Sequence, residues 1–264
     1  MKEKFTIFIL FVFSYIVYAN DSDLLNEYKL LYSDISNIRT VSYKSYFNNE
    51  YNMASEKINL SQGSLFMTKV PSDVAIFGEG YFKIRLENDM VGWTRAGFFT
   101  FDSNGNIIVN NRYFLYDNIN LQGEYIPQSL RITNDGNIYI NIIEEKNNIK
   151  EIYAGKLLIY NVPSELLIRF SDLIYVIKND EKYNEELSNS KIIQGALETS
   201  NAPLLPVILR MFYILSVINE KYISNIGYKK ELLRIQIERI VNNHLLDENL
   251  DYLFSILPYL KYDF

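Results

Sequence analysis

Asp73-Val74-Ala75-Ile76-Phe77-Gly78-Glu79-Gly80-Tyr81-Phe82-Lys83-Ile84-Arg85-Leu86 holds two short apolar runs parted by a pair of glycines. The first run is too short for a helix. The second alternates apolar with cationic side chains, the period of a half-buried strand. Both therefore read as β-strands, with Gly78 and Gly80 in the bend between them. Further on, Asp102-Ser103-Asn104-Gly105-Asn106 separates apolar residues 98–101 from 107–109. Asn-Gly between apolar runs predicts a hairpin, because both residues tolerate positive φ. Leu130-Arg131-Ile132-Thr133-Asn134-Asp135-Gly136-Asn137-Ile138 repeats that layout as a weak internal echo. Strands are expected to continue over residues 156–160 and 173–177. No helical period of useful length interrupts residues 70–160, so the centre is predicted to be β-rich.

Both flanks change period. Over residues 24–46, Leu24, Leu25, Tyr28, Leu31, Tyr32, Ile35 and Ile38 recur at steps of three and four, one stripe of an amphipathic helix. Beyond Asn201, Pro206 suits a first helical turn. Ile208, Met211, Leu215, Ile218 and Tyr222 then step three and four in alternation, as a coiled-coil seam does. The apolar series continues with Ile226, Leu233 and Ile237. The predicted fold is a mainly β central domain of short strands and hairpins. It is flanked by N- and C-terminal α-helices that pair as a coiled coil. The expected segments are a Sec-like signal peptide (1–19), an N-terminal helix and linker (20–62), a β-rich domain (63–193) and a C-terminal helical segment with a tail extension (194–264).

The leader reading rests on Lys2 and Lys4, the apolar run over residues 5–18, and Val17-Tyr18-Ala19 before Asn20-Asp21-Ser22. A charged start, a short apolar core and a small residue before a polar stretch make a cleavable export signal. An uncleaved anchor is the alternative, and would be the chain's only tie to a membrane. The formal net charge of -6 carries no basic stripe, so nucleic-acid binding has no electrostatic footprint. With no cysteine and a single histidine, His244, disulfides, Cys nucleophiles and Cys/His zinc sites are excluded, and a His-dependent triad is disfavoured.

Other chemical motifs fail on their spacing. Gly78-Glu79-Gly80 lacks the third glycine and following helix of a dinucleotide loop. Asp102 opens a sequence with its glycine two places early for a calcium loop, and Tyr113 stands where the bidentate Glu belongs. Ser188-Asn189-Ser190-Lys191 has the spacing of a lysine-activated serine without the companion elements. A carboxylate pair for glycoside hydrolysis would have to come from acids such as Asp73, Glu79, Asp102 and Asp135, which all sit at strand or turn edges. No catalytic constellation emerges. The chain is not expected to be an enzyme, to hold a cofactor or metal, or to take a small-molecule substrate.

Three motifs in order resemble the flagellar basal-body rod and hook protein family. The first is residues 73–82 followed by Trp93-Thr94-Arg95-Ala96-Gly97 and the Gly105 turn, similar to the family's D-[LV]-A-I-x-G-x-G-[FY]-F, T-R-x-G and turn elements. The second is Gln194-Gly195-Ala196-Leu197-Glu198-Thr199-Ser200-Asn201, similar to Q-G-x-[LV]-E-x-S-N. The third is a degraded A-N-x-x-T-x-G-[FY]-K element at Asn37, Thr40, Tyr43 and Lys44, with Ser42 in place of the family's glycine. The resemblance implies a structural subunit of the basal body that assembles through its terminal helices, with copies of itself and other rod and hook proteins as partners, in the periplasmic part of the flagellum. The leader departs from the pattern, since axial members of the family leave through the flagellar type III channel without one. A periplasmic relative that binds or caps the rod without polymerising is the second expectation.

Overall fold

The computed structural model describes residues 21–48, 53–117, 119, 121, 126–144, 147–178 and 183–222. The expected leader over residues 1–19 lies outside them, as do Ile226, Leu233 and Ile237. Two compact units result, each built from segments far apart in the chain.

The larger unit comprises Asn37–Ser45 and Ile58–Ala202. Its central sheet is antiparallel and seven-stranded, in the order β14 (Leu167–Ser171), β15 (Ile174–Ile177), β6 (Val91–Thr94), β5 (Phe82–Arg85), β9 (Tyr113–Leu115), β8 (Ile107–Val109) and β7 (Phe99–Phe101). A three-stranded sheet follows, β10 (Arg131–Ile132), β11 (Asn137–Ile143) and β12 (Ile149–Lys156). Two strands from early in the chain pair with two from its end. β3 (Leu65–Met67) pairs with β18 (Ala196–Glu198), and β4 (Val74–Phe77) pairs with β17 (Lys191–Gln194). The main core lies under these strands, with Ile76, Phe82, Ile84, Ile138, Ile140 and Ile192 fully buried. A second cluster packs Trp93 edge-to-face on Tyr160 at 5.7 Å, with Tyr81, Leu167 and Tyr175 around it.

The bends follow from local chemistry. Gly78 and Gly80 take φ of +114° and +109° between β4 and β5. At Gly80 a Cβ would stand 2.9 Å from the Tyr160 carbonyl oxygen. The two predicted hairpins have one turn geometry. The Asp102 amide bonds to the Asn106 carbonyl, and the Thr133 amide to the Asn137 carbonyl. Gly105 and Gly136 follow three residues after Asp102 and Thr133, at φ of +80° and +85°, and their carbonyls accept the amides of Leu121 and Leu157. The internal echo in the sequence is therefore a repeated turn that clamps a distant strand or loop through its glycine.

The smaller unit holds α1 (Asp21–Ser36), α2 (Leu204–Tyr222) and a hairpin of β1 (Phe47–Asn48) and β2 (Met53–Ala54). Leu24, Leu31, Ile35, Val207, Ile208, Met211 and Ile214 share one core with Phe47 and Ala54 of the hairpin. This corrects the sequence expectation. The protein is mostly β, the described residues hold two helices, and terminal helices paired as a coiled coil are not what it shows. The inward face of α1 runs Leu24, Glu27, Leu31, Asp34 and Ile35, while Leu25 and Tyr32 are each 49% exposed. Two of the inward positions are acids, and both bind the hairpin. The Glu27 carboxylate accepts the Ala54 amide at 3.0 Å and both Arg210 donors at 2.8 Å. Asp34 accepts the amides of Tyr46 and Phe47 at 2.8 and 2.9 Å. A stripe read from apolar side chains alone passes over such positions, because buried acids look like solvent residues in sequence. α1 also stops at Ser36, before a turn that takes φ of +61° at Ser42.

Candidate functional site: a buried polar knot

The motif residues converge inside the larger unit. Lys44, Arg95 and Glu198 lie far apart in sequence, and all are buried. The Glu198 carboxylate accepts the Lys44 ammonium and the Gly63 amide (2.8 Å) on Oε1, and the Arg95 Nε–H (2.6 Å) on Oε2. Lys44 also donates to the Ser61 carbonyl at 2.6 Å. Arg95 extends its remaining nitrogens to the carbonyls of Gly80 (2.8 Å) and Ile76 (3.1 Å). The result is a desolvated cation–anion–cation row in which the charged atoms are bonded to one another or to backbone. Such rows persist only when their hydrogen bonds are complete. Burial lowers the pKa of Lys44 to about 8; Glu198 acts against that shift and Arg95 adds to it.

Neighbouring motif residues hold the backbone around the row. The Ser42 hydroxyl donates to the Arg95 carbonyl at 2.9 Å, and its amide to the Glu198 carbonyl at 2.8 Å. Thr40 bonds back to Asn37 through side chain and backbone, closing the preceding turn. Arg169 lies over the Tyr43 ring at 4.6 Å and donates to the Lys44 carbonyl. Thr94 donates to the Leu173 carbonyl at 2.7 Å and accepts the Ala96 amide. Gly97 leaves no room for a side chain, since a Cβ would sit 1.8 Å from the Val74 carbonyl oxygen. Asp73 accepts the Gly195 amide on its carbonyl at 2.7 Å, with Gly195 at φ +70°.

The end of the C-terminal motif works as a strap. Gln194 accepts the Ile132 amide and donates to the carbonyls of Pro71 and Leu130, at 2.8–2.9 Å. Asn201 accepts the Ser45 amide at 2.7 Å and donates to the carbonyls of Asn59 and Ser61. Ser200 accepts the Ala202 amide. The predicted site residues thus divide in three. Lys44, Arg95 and Glu198 meet in one network, which Asn201 joins at the Ser61 carbonyl; Thr94 and Gln194 bond backbone beside it, and Asn37, Asp73, Gly78, Gly80, Gly97, Gly195 and Ser200 shape the surrounding chain. Gly105 belongs to the separate hairpin turn. Of the helical set, Leu24, Leu31, Ile35, Ile208 and Met211 share the smaller core, and Ile38 is half-buried in the turn beyond α1. Leu215, Ile218 and Tyr222 lie on α2.

A second polar cluster went unread in the sequence. Asp117 accepts the Tyr160 hydroxyl (2.7 Å) and the Leu158 amide, while Lys83 pairs with Glu185 and stands over the Tyr116 ring at 4.0 Å. Burial raises the pKa of Asp117, and burial together with Asp117 raises that of the Tyr160 hydroxyl. Lys83 carried a readable signal, as a cation on an alternating strand. The distant partners carried none.

Comparison with known proteins meets this site in part. The flagellar hook protein FlgE/F/G D1 domain model matches residues 75–140, from β4 into β11 and including Arg95. The chain is 28% identical to the flagellar basal-body rod protein FlgG of Borreliella burgdorferi over 57% of this chain and 58% of that one. Over part of its length, then, the chain is similar to flagellar rod and hook proteins. It is 27% identical to the flagellar basal-body rod protein FlgF of Buchnera aphidicola subsp. Baizongia pistaciae, over 65% of this chain and 75% of that protein. With the flagellar hook protein FlgE of Helicobacter mustelae the identity is 44% over 20% of this chain and 12% of the other. The matches to the FlgG proteins span no more than 58% of those proteins' own length. The D1 match covers the Arg95 part of the polar knot, and Lys44 and Glu198 lie before and after it in the sequence.

Proposed function

We propose that this chain is a structural subunit of the bacterial flagellar basal body, an axial rod or hook protein that acts by assembly and not by catalysis. The proteins it resembles are named as rod and hook proteins, and the match of residues 75–140 to the FlgE/F/G D1 domain supports carrying that role over. The observation that supports this best is the meeting of three family-like motifs at one buried network, joined through Glu198. A subunit under axial load gains from such a joint, because the chain enters and leaves the β unit beside the same carboxylate. Partners on this reading are copies of the chain and other rod and hook proteins, in the periplasmic part of the basal body. The contacts are assigned to the terminal segments.

The test is to extract basal bodies with detergent from cells carrying an epitope-tagged chain and to quantify it against known rod subunits. Several copies per basal body are expected. Complete loss of the chain into the soluble fraction would contradict the proposal. The leader-like residues 1–19 favour a second reading, a periplasmic relative that binds the rod without polymerising. One copy per rod, with the N-terminus beginning at Asn20, would favour it.

A further inference from the structure

We propose that residues 191–201 form a closing strap, and that residues 37–45 and 58–67 open and close with it as one cooperative unit while the seven-stranded and β10–β12 sheets stay folded. The Ser42 amide bonds to Glu198, the Ser45 amide to Asn201, and the Tyr43 carbonyl accepts the Asn201 amide. The Gly63 amide bonds to Glu198, the Thr199 amide to Ser64, and β3 pairs with β18 alone. Lys44 has Glu198 as its counter-charge, which also binds Arg95. An early segment of the chain therefore takes most of its hydrogen-bond partners from a strap made much later.

Before that strap docks, ordering residues 37–45 and 58–67 would bury Lys44 beside Arg95 with no anion between them. Burying such a like-charge pair is unfavourable, and the unpaired amides add to the cost. The two sheets meet the strap at fewer points, the Ile132 amide on Gln194 and the Ile192 side chain in the core. β5, β6, β8 and β9 pair among themselves, and β11 pairs with β10 and β12. Their cores rest on Phe82, Ile84, Ile138 and Ile140. Segments that share partners in this way form a sub-global opening unit. This inference rests on the fold alone and stands or falls apart from the flagellar role.

Native-state hydrogen exchange on the full chain, read amide by amide in rising denaturant below the unfolding transition, tests it. The amides of Ser42, Ser45, Gly63, Thr199 and Asn201 are expected to exchange through one common opening, at least tenfold faster than those of Ile84 and Ile140. Glu198→Gln and Asn201→Ala should each speed the whole group by one common factor of ten or more, with Ile84 and Ile140 remaining the slower set. If the wild-type group exchanges only with global unfolding, or if Glu198→Gln speeds Gly63 alone, the strap is not a unit and the inference fails. The wild-type measurement decides the matter even where a variant does not fold.

Discussion

Glu198 binds Lys44 through one carboxylate oxygen and Arg95 through the other, with all three side chains buried. One anion thus neutralises two cations in a place water does not reach. Desolvation dominates at such a site, and its effect on Lys44 is already visible in the lowered pKa.

That shift sets a pH dependence. Between about pH 8 and the ordinary lysine value of 10.5, the folded chain has released the Lys44 proton while the unfolded chain still holds it. The unfolded state then binds more protons, so stability attributable to this group rises with pH across that window and is level below it. Relative to Lys44→Met, the wild type should gain stability from pH 8 to 10, by at most about 1.4 kcal/mol per unit. Urea unfolding of both proteins at pH 7, 8, 9 and 10 checks this; a difference that falls with pH would contradict it.

Ser42 takes φ of +61° where the resembled family carries glycine. Its hydroxyl bond to Arg95 helps to offset the strain. Ser42→Gly loses the bond and relieves the strain, whereas Ser42→Ala loses the bond and keeps it. The glycine variant should be the more stable of the two by about 1 kcal/mol. Chemical denaturation of the pair reads the difference, and equal midpoints would contradict a strained turn.

The repeated turn predicts parallel losses. At Gly105 a Cβ would stand 2.3 Å from the Leu121 carbonyl oxygen, and at Gly136 2.2 Å from that of Leu157. Gly105→Val and Gly136→Val should each destabilise the larger unit by roughly 2–4 kcal/mol, from positive φ and lost clamping together. Thermal unfolding checks both, and an unchanged midpoint in either would contradict the turn's role.

In the smaller unit, Asp34 is completely buried and accepts the amides that begin β1. Asp34→Asn keeps the shape and weakens the charge-assisted bonds, so it should cost about 1–3 kcal/mol. Loss of amide protection at Tyr46 and Phe47 would accompany it. Intact protection there would contradict the docking seen.

How much of this was legible follows from what neighbours in sequence can encode. The Asn104-Gly105 and Asp135-Gly136 turns are local, and their residues specify positive φ directly. The strands around Gly78 and Gly80 were equally local. Glu198 gave no such signal, because its partners at Lys44 and Arg95 lie far away in sequence and nothing local marks a buried charge. The family resemblance brought those residues to notice, and the fold supplied the reason. On α1, periodicity found the helix but misjudged its inner face, since Glu27 and Asp34 are acids serving hairpin amides. That misjudgement made a coiled coil look suitable where a hairpin completes the core.

The most direct test of the knot compares Glu198→Gln with Lys44→Met by equilibrium urea unfolding at pH 7. Removing the anion strands two buried cations, whereas removing Lys44 leaves the neutral Arg95–Glu198 pair with Gly63 still bound to Oε1. Glu198→Gln should cost about 3–5 kcal/mol and Lys44→Met about 1 kcal/mol or less. Equal losses, or a larger loss for Lys44→Met, would contradict the placing of Glu198 at the centre of the joint.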